Sequence, residues 1–273
     1  MPEGPEVRRA ADKIEKALRG IKIEKAELVH PSLENAGSLI IGSTLLRVDT
    51  YGKAFVLVFD SDVAIYVHLQ LYGVWKTGRA STHPKTTRSL RLRLESTKNH
   101  ASLYSATDVS LLQIEDVPNH PYIRKLGPDL LSSKASVAQI SRRMQGKAFS
   151  RKGIGGQLLQ QSFFAGVGNY LRSEILFIAK IHPAQVIGKL TSEQRLALAR
   201  SIYHTTWRAY ESGGITTSEE FVQEAKNQKK RRYLYRHYVF GKENRACPTC
   251  GTKILKIMTG GRRLYYCPDC QQK

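Results

Sequence analysis

The chain has 273 residues, with 43 lysines and arginines against 23 aspartates and glutamates, a formal net charge of +20. No apolar run approaches the ~18 residues that a spanning helix needs, and collagen-like, coiled-coil and disordered compositions are excluded. The start, Met1-Pro2-Glu3-Gly4-Pro5-Glu6, carries acids where a signal peptide carries basic and then apolar residues, so a cytoplasmic protein with a polyanionic partner, nucleic acid above all, is expected. All four cysteines lie in the last 27 positions, too few for a disulfide scaffold, which fits a reducing compartment.

Pro5 suits the first turn of a helix whose buried stripe is Val7, Ala11, Ile14 and Leu18 and whose stop is Gly20. Methionine is commonly removed before a small residue, which would leave the secondary amine of Pro2 as the chain terminus. An α-amino group titrates near pH 8, so part of it is a neutral nucleophile at physiological pH. Beside Glu3 it makes a candidate Schiff-base site, although proline and glutamate at a helix start are also ordinary capping choices, the reading preferred for Glu6. Strands follow. Val56 and Val58 alternate with Phe55, Leu57 and Phe59, then comes the run Val63 to Val67, and Leu90, Leu92 and Leu94 alternate with Arg91, Arg93 and Glu95, predicting one charged face. Lys53 follows Tyr51-Gly52 at a strand start, where a tight turn would aim its ammonium out of the sheet; a solvated charge is the plain alternative.

From about Ser133 the period becomes helical. Val137, Ile140 and Met144 fit one face, Leu158, Leu159 and Phe163 a second, and Leu171, Ile175 and Ile178 a third helix that ends before His182-Pro183. Ala165-Gly166-Val167-Gly168-Asn169 joins two helical patterns, with Asn169 as a candidate N-cap whose helix start could bind phosphate. Thr191 and Gln194 form a capping box for a helix reaching about Glu211. Gly213 to Gly241 is polar and basic without an assigned element, and the run Lys229 to Tyr238 reads as a solvated helix face.

Cys247-Pro248-Thr249-Cys250 and Cys267-Pro268-Asp269-Cys270 are two Cys-x-x-Cys knuckles, the spacing of a zinc ribbon with four thiolate ligands. Ile254 to Ile257 and Leu264 to Tyr266 flank Thr259-Gly260-Gly261, a hairpin with a tight turn. With every position taken by sulfur the metal is structural: one Zn2+, and no organic cofactor. Arg262 sits beside the hairpin tip, where a guanidinium could meet a phosphate; a solvated surface arginine is the alternative.

The motifs Met1 to Val7, Tyr51-Gly52-Lys53-Ala54, Gln70-Leu71-Tyr72-Gly73, Ala165 to Arg172 and the terminal ribbon occur in the order found in the endonuclease VIII branch of the formamidopyrimidine-DNA glycosylase family, which the chain resembles from end to end. The resemblance implies an α+β fold of two domains: an N-terminal β-sandwich with a leading helix (1–125), then a helical helix–two-turn–helix region (126–235) carrying the ribbon (236–273), with DNA in the cleft between. It implies a base-excision glycosylase and AP lyase acting through a Schiff base, with Pro2 as nucleophile, Glu3 as general acid/base and Lys53 near the lesion phosphate or sugar. Gln70, Leu71 and Tyr72 correspond to the triplet that fills the hole left by a flipped base, and the match favours a phosphate contact for Asn169; Arg262 is a candidate DNA contact from its place beside the hairpin tip. Arg172 and Glu174 resemble family positions and read equally well as a helical salt bridge. The triplet, and Gly4 where the oxidised-purine branch usually has leucine, favour oxidised pyrimidines as substrates. An oxidised-purine glycosylase is the close alternative, and a non-catalytic zinc-ribbon DNA-binding protein the alternative of another class. The expected partner is double-stranded DNA with damaged bases or abasic sites, bound by a monomer without a membrane, in a bacterial cytoplasm at the nucleoid.

Overall fold

The computed structural model describes residues 2–273 and divides into two compact units, one ending at Lys125 and one beginning at Leu126. Met1, whose removal bears on Pro2, lies outside the described residues.

The first unit opens with helix α1 (Gly4–Leu18), in which Val7, Ala11, Ile14 and Leu18 are buried as the stripe predicted. Each of its large apolar side chains contributes roughly 1.5–3 kcal/mol by leaving water. The Glu3 amide donates to the Glu6 carboxylate at 3.1 Å, half of a capping box, and Gly20 ends the helix in a left-handed conformation at φ +71°. Strand β1 (Lys25–Leu28) and the single turn α2 (Gly37–Ile40) follow, then β2 (Leu45–Tyr51), β3 (Ala54–Phe59), β4 (Val63–His68), β5 (Val74–Arg79), β6 (Leu90–Glu95), β7 (Asn99–Tyr104) and β8 (Asp108–Gln113). They form two antiparallel four-stranded sheets, ordered β1-β6-β7-β5 and β2-β3-β4-β8. Phe55, Leu57 and Ile65 of one sheet share a core with Leu92, Leu94 and Leu103 of the other and with the α1 stripe, which makes a sandwich. The opposite faces of β3 and β4 are buried too, because Val56, Val58 and Tyr66 pack under Val117 and Ile123 of the closing segment. Two-sided burial explains why these strands read as continuous apolar runs.

The charged face expected for β6 is not wholly solvated. Arg93 is 1% exposed: it pairs with Glu95 and donates to the carbonyls of Ala80 (2.9 Å) and Thr82 (3.1 Å). The β5–β6 connection folds over the outer face and uses this guanidinium as its anchor, which strand alternation could not foretell.

In the second unit, α3 (Val137–Met144), α4 (Ile154–Gln157), α5 (Asn169–Ile178) and α6 (Ser192–Glu211) build a helical core. The Thr191–Gln194 capping box forms as predicted, with reciprocal bonds of 3.0 and 3.1 Å. The helix expected over 158–163 is absent: α4 is one turn, and Leu158 and Phe163 are buried on irregular backbone. Gly155 lies in that turn against the Pro183 carbonyl, where a Cβ would sit only 2.7 Å from the oxygen. Between Gly213 and Gly241, where no element was assigned, lie α7 (Glu219–Asn227) and the short α8 (Arg232–Tyr235). The basic run is a solvated face only in its first half: Lys229 to Tyr233 are exposed, whereas Tyr235 and His237 are buried, and Arg232 and Arg236 donate to the carbonyls of Gly213 and Gly214. Strands β9 (Leu255–Thr259) and β10 (Arg262–Tyr266) form the ribbon hairpin around Gly260 and Gly261, both at positive φ (+61° and +70°), as a type I′ turn requires. No described helix is long and apolar enough to cross a membrane.

Candidate functional site

The topology of the first unit gathers several chemically active side chains at one end of the sandwich. The chain leaves α1 at Gly20, whose amide bonds to the Leu45 carbonyl at the start of β2. Further along, Glu15 accepts from the Val48 amide at 2.9 Å. Helix and strand therefore run antiparallel, which brings Pro2 and Glu3 toward the Tyr51 end of β2. There the chain reverses through Gly52-Lys53, with Tyr51 paired to Ala54 and Gly52 at φ +62°, the left-handed first position of a two-residue hairpin. Ala54 pairs with His68, and His68 with Asp108, so the ends of β4 and β8 close the same edge.

Two charges at this end are withdrawn from water. Glu3 is 3% exposed and Lys53 6%, so Lys53 is tucked in and is not the solvated charge of the plain alternative. Its backbone amide donates to the Tyr122 hydroxyl at 3.2 Å. Tyr122 in turn meets the His68 ring edge-on at 5.1 Å. Burial lowers the His68 pKa; Asp108 opposes this and the Lys53 charge adds to it. Buried charges cost free energy unless they are compensated, and such clusters concentrate where chemistry is done.

From this edge projects the β4–β5 loop. Composition reads Gln70, Leu71 and Tyr72 as a buried strand end, yet Leu71 is 63% and Tyr72 70% exposed, and Gln70 lies outside as well. The loop is tight: Gly73 donates to the Leu69 carbonyl at 2.8 Å, and a Cβ on Gly73 would lie 2.6 Å from that oxygen. Two apolar side chains are thus held out in water on a braced turn.

In the second unit, Asn169 is the first residue of α5 and Gly168 is the N-cap, which corrects the cap expected of Asn169. The Asn169 Oδ1 is buried and has no hydrogen-bond partner among the described residues. Arg262 is exposed at the start of β10. What links the two is Arg172, one turn along α5 and fully buried. Its guanidinium donates to the carbonyls of Gly155 (2.8 Å), Thr259 (3.0 Å), Arg262 (2.9 Å) and Arg263 (3.1 Å), pinning the hairpin tip to the helix. Glu174, two residues on and hence on the opposite side of the helix, accepts from the amides of Tyr238 (2.6 Å), Val239 (2.8 Å) and Phe240 (2.9 Å) and from the Thr216 hydroxyl (2.7 Å). Burial pushes its carboxyl up from the usual range, against the pull of those four donors. The expected helical salt bridge is replaced by two anchors to distant backbone. The motif around Asn169 flagged both residues, but no local spacing could name partners 17 to 91 residues away.

The cysteine sulfurs of residues 247, 250, 267 and 270 lie within 4.8 Å of one another. Sulfurs at ~2.3 Å from a tetrahedral zinc are ~3.8 Å apart, and the separations of 3.9 Å (Cys247–Cys270) and 3.4 Å (Cys250–Cys267) fit that ion. Backbone amides of Thr249 and Cys270 point at the sulfurs of Cys247 and Cys267, the outer bonds that a thiolate site uses.

Three family models match: the formamidopyrimidine-DNA glycosylase N-terminal domain over residues 1–107, its H2TH domain over 126–220, and the zinc finger found in FPG and IleRS over 246–273. The chain is 35% identical over 272 residues to endonuclease 8 of Enterobacter sp. (strain 638), covering 100% of both chains. It is 36% identical over 271 residues to endonuclease 8 of Pectobacterium atrosepticum, covering 99% of this chain and 100% of that one. Among solved structures it resembles Lactococcus lactis Fpg in complex with DNA containing an abasic site (TM-score 0.80, 25% identity, 99% of this chain and 100% of that one). Full-length relatives at this identity, with all three matched regions in order, establish that the chain belongs to the formamidopyrimidine-DNA glycosylase/endonuclease VIII family.

Proposed function

We propose that this protein is a base-excision repair DNA glycosylase and AP lyase that removes oxidised pyrimidines, with residues 1–125 as the catalytic sandwich, 126–235 as the helical DNA-binding region and 236–273 as the ribbon. The observation that carries the reading is the convergence of the α1 start, with its buried Glu3, and the buried Lys53 at one sandwich end. With Met1 removed, the Pro2 nitrogen attacks C1′ of the damaged nucleoside. The C1′–N bond to the base breaks, and the base leaves with its electron pair and a proton. Glu3 moves protons as the sugar ring opens. The iminium between Pro2 and C1′ is an electron sink, so the C2′ proton is lost and the 3′-phosphate departs by β-elimination. A second, δ-elimination releases the 5′-phosphate. Lys53 supplies a cation to the phosphate or sugar beside the lesion.

Leu71 and Tyr72, held out of the fold, fill the base stack where the damaged nucleotide is extruded, with Gln70 at their side. Asn169 and the exposed guanidinium of Arg262 hold backbone phosphates. The zinc that Cys247, Cys250, Cys267 and Cys270 would hold keeps the hairpin in shape and takes no part in the reaction. Preference for pyrimidine lesions follows the endonuclease 8 relatives. A basic protein of this kind works in the bacterial cytoplasm, associated with the nucleoid through DNA.

Borohydride reduces the iminium and traps the protein on its DNA. Trapping on a duplex with dihydrouracil, mapped by mass spectrometry to Pro2, is the expected result. Preferential trapping on 8-oxoguanine would keep the chemistry and move the substrate to the purine branch. Absence of trapping on either lesion, with Met1 shown to be removed, would leave a DNA-binding protein without the lyase step.

A further inference from the structure

The exposed triplet raises the question of what fixes its loop, since side chains in water cannot. Gln70 has φ +51°, the left-handed region that costs a non-glycine residue on the order of 1 kcal/mol or more. Something must hold it there. Its amide donates to Nδ1 of His68 at 3.1 Å, and its side-chain amide reaches the Asp108 carboxylate at 3.3 Å. A backbone amide can only donate, so His68 Nδ1 must carry its lone pair, and the imidazole is neutral with its proton on Nε2. The surroundings keep it so. His68 is 8% exposed, on the last residue of β4, facing the Lys53 turn on one neighbouring strand and Asp108 on the other. Tyr122 covers its ring, and Tyr66 and His120 stack behind, 3.9 Å apart. Burial and the Lys53 ammonium disfavour a second proton, while the Asp108 carboxylate alone favours it. A proton on Nδ1 would turn the acceptor into a donor facing a donor, and the bond to Gln70 would be lost.

We propose that His68 is the positioning residue for the Gln70–Tyr72 loop: its neutral Nδ1 sets the stack-filling conformation, and its protonation releases the loop and slows base excision more than cleavage at abasic sites. The proposal rests on the triplet acting as the plug of the flipped-out base. The asymmetry follows from the energetics of the two steps. Excising a base from duplex requires extruding it, which costs a few kcal/mol that the plug offsets, whereas an abasic site has no base to extrude.

The test compares single-turnover excision of dihydrouracil with cleavage of a preformed abasic site between pH 5 and 8, for the wild type and for His68→Leu, His68→Asn and Leu71→Ala. His68→Leu is expected to lower excision about tenfold at pH 7.5, the effect of one buried hydrogen bond and a freed strained residue, with abasic-site cleavage within about twofold. His68→Asn should recover most of the loss, because an Asn Oδ1 accepts the same amide two residues on, as in an Asx turn. Its excision-to-cleavage ratio should stay flat as pH falls, whereas the wild-type ratio drops. Groups that titrate in both proteins cancel from that comparison. Equal losses of both steps in His68→Leu, or a wild-type pH profile of the ratio in His68→Asn, would overturn the proposal. If Leu71→Ala impairs excision and His68→Leu does not, the plug stands and His68 has no part in it. If Leu71→Ala leaves excision intact, the plug itself fails and the proposal falls with it.

Discussion

Glu3 shows how one side chain can serve two ends. Its backbone starts α1 and donates to Glu6, while its carboxyl group is buried at the sandwich end where Pro2 and Lys53 arrive. Its carboxylate also accepts the Glu6 amide in the capping box, and the residue is withdrawn from water to 3% exposure. If Glu3 is the proton carrier proposed above, Glu3→Gln keeps the shape and removes that function, so excision should fall by about 10²-fold or more while affinity for lesion duplex stays within about twofold. Single-turnover kinetics beside fluorescence anisotropy would check this, and parallel losses in both would reduce Glu3 to a structural role. Pro2, Glu3 and Lys53 stand out in the sequence as candidates because each sits in a short local motif. The burial of Lys53 was not legible, nor that of Arg93, since what covers them comes from distant chain: Tyr122 for the first, the Ala80–Thr82 connection for the second. Alternation assigns a side chain to a face but cannot say whether a loop will fold over it.

At the scale of elements, α5 works as a clamp with two jaws. Its apolar residues fill the helical core, and the two charges on it, Arg172 and Glu174, satisfy backbone groups of the hairpin tip and of residues 238–240. Arg172→Met would leave four carbonyls without this donor, three of them at the hairpin tip that places Arg262. Each buried group left unsatisfied costs about 1–3 kcal/mol, so the tip should loosen although zinc holds the other end of the ribbon. If Arg262 contacts a phosphate, losing that contact lowers the slope of log K against log salt by about 0.9. The same reduction is therefore expected for Arg172→Met as for Arg262→Ala, read from binding isotherms across a salt series. An unchanged slope in Arg172→Met would show that the tip is placed without it. The ribbon, the capping boxes and α6 were legible because knuckle spacing and cap chemistry are local rules. The false helix at 158–163 arose because an apolar 3–4 spacing also occurs where irregular chain buries both neighbours, and Gln161 holds that chain by bonds to Leu159, Gly166 and Val167.

Across the whole molecule, histidine is used mainly as a neutral group. Four of the eight accept an amide proton from two residues ahead: His30 from Ser32, His68 from Gln70, His120 from Tyr122 and His182 from Ala184. Three of these precede proline, which cannot continue a helix, so the His182-Pro183 stop seen in the sequence has a hydrogen bond behind it. His237 is the extreme case: burial first, then the charges of Arg236, Lys242 and Arg232, bring its pKa down to about 3. His68, His100, His120 and His182 are lowered as well, each chiefly by burial. All titrate near 6.5 when unfolded, so below that pH the unfolded chain binds protons that the folded chain refuses. Stability is then fully present above pH 6.5 and is lost as pH falls toward 3, by up to ~1.4 kcal/mol per pH unit for His237 and by less for the more exposed rings. Glu174 acts in the opposite sense, because a carboxyl raised by burial favours the fold at low pH, but it is one group against five. Urea unfolding at pH 5 and pH 7 should therefore show a clear loss of stability at the lower pH, and His237→Gln should flatten that dependence. A midpoint that does not move between the two would mean that these rings take up protons in the folded state as readily as in the unfolded one, and the neutral hydrogen-bonded histidines drawn here would have to be abandoned.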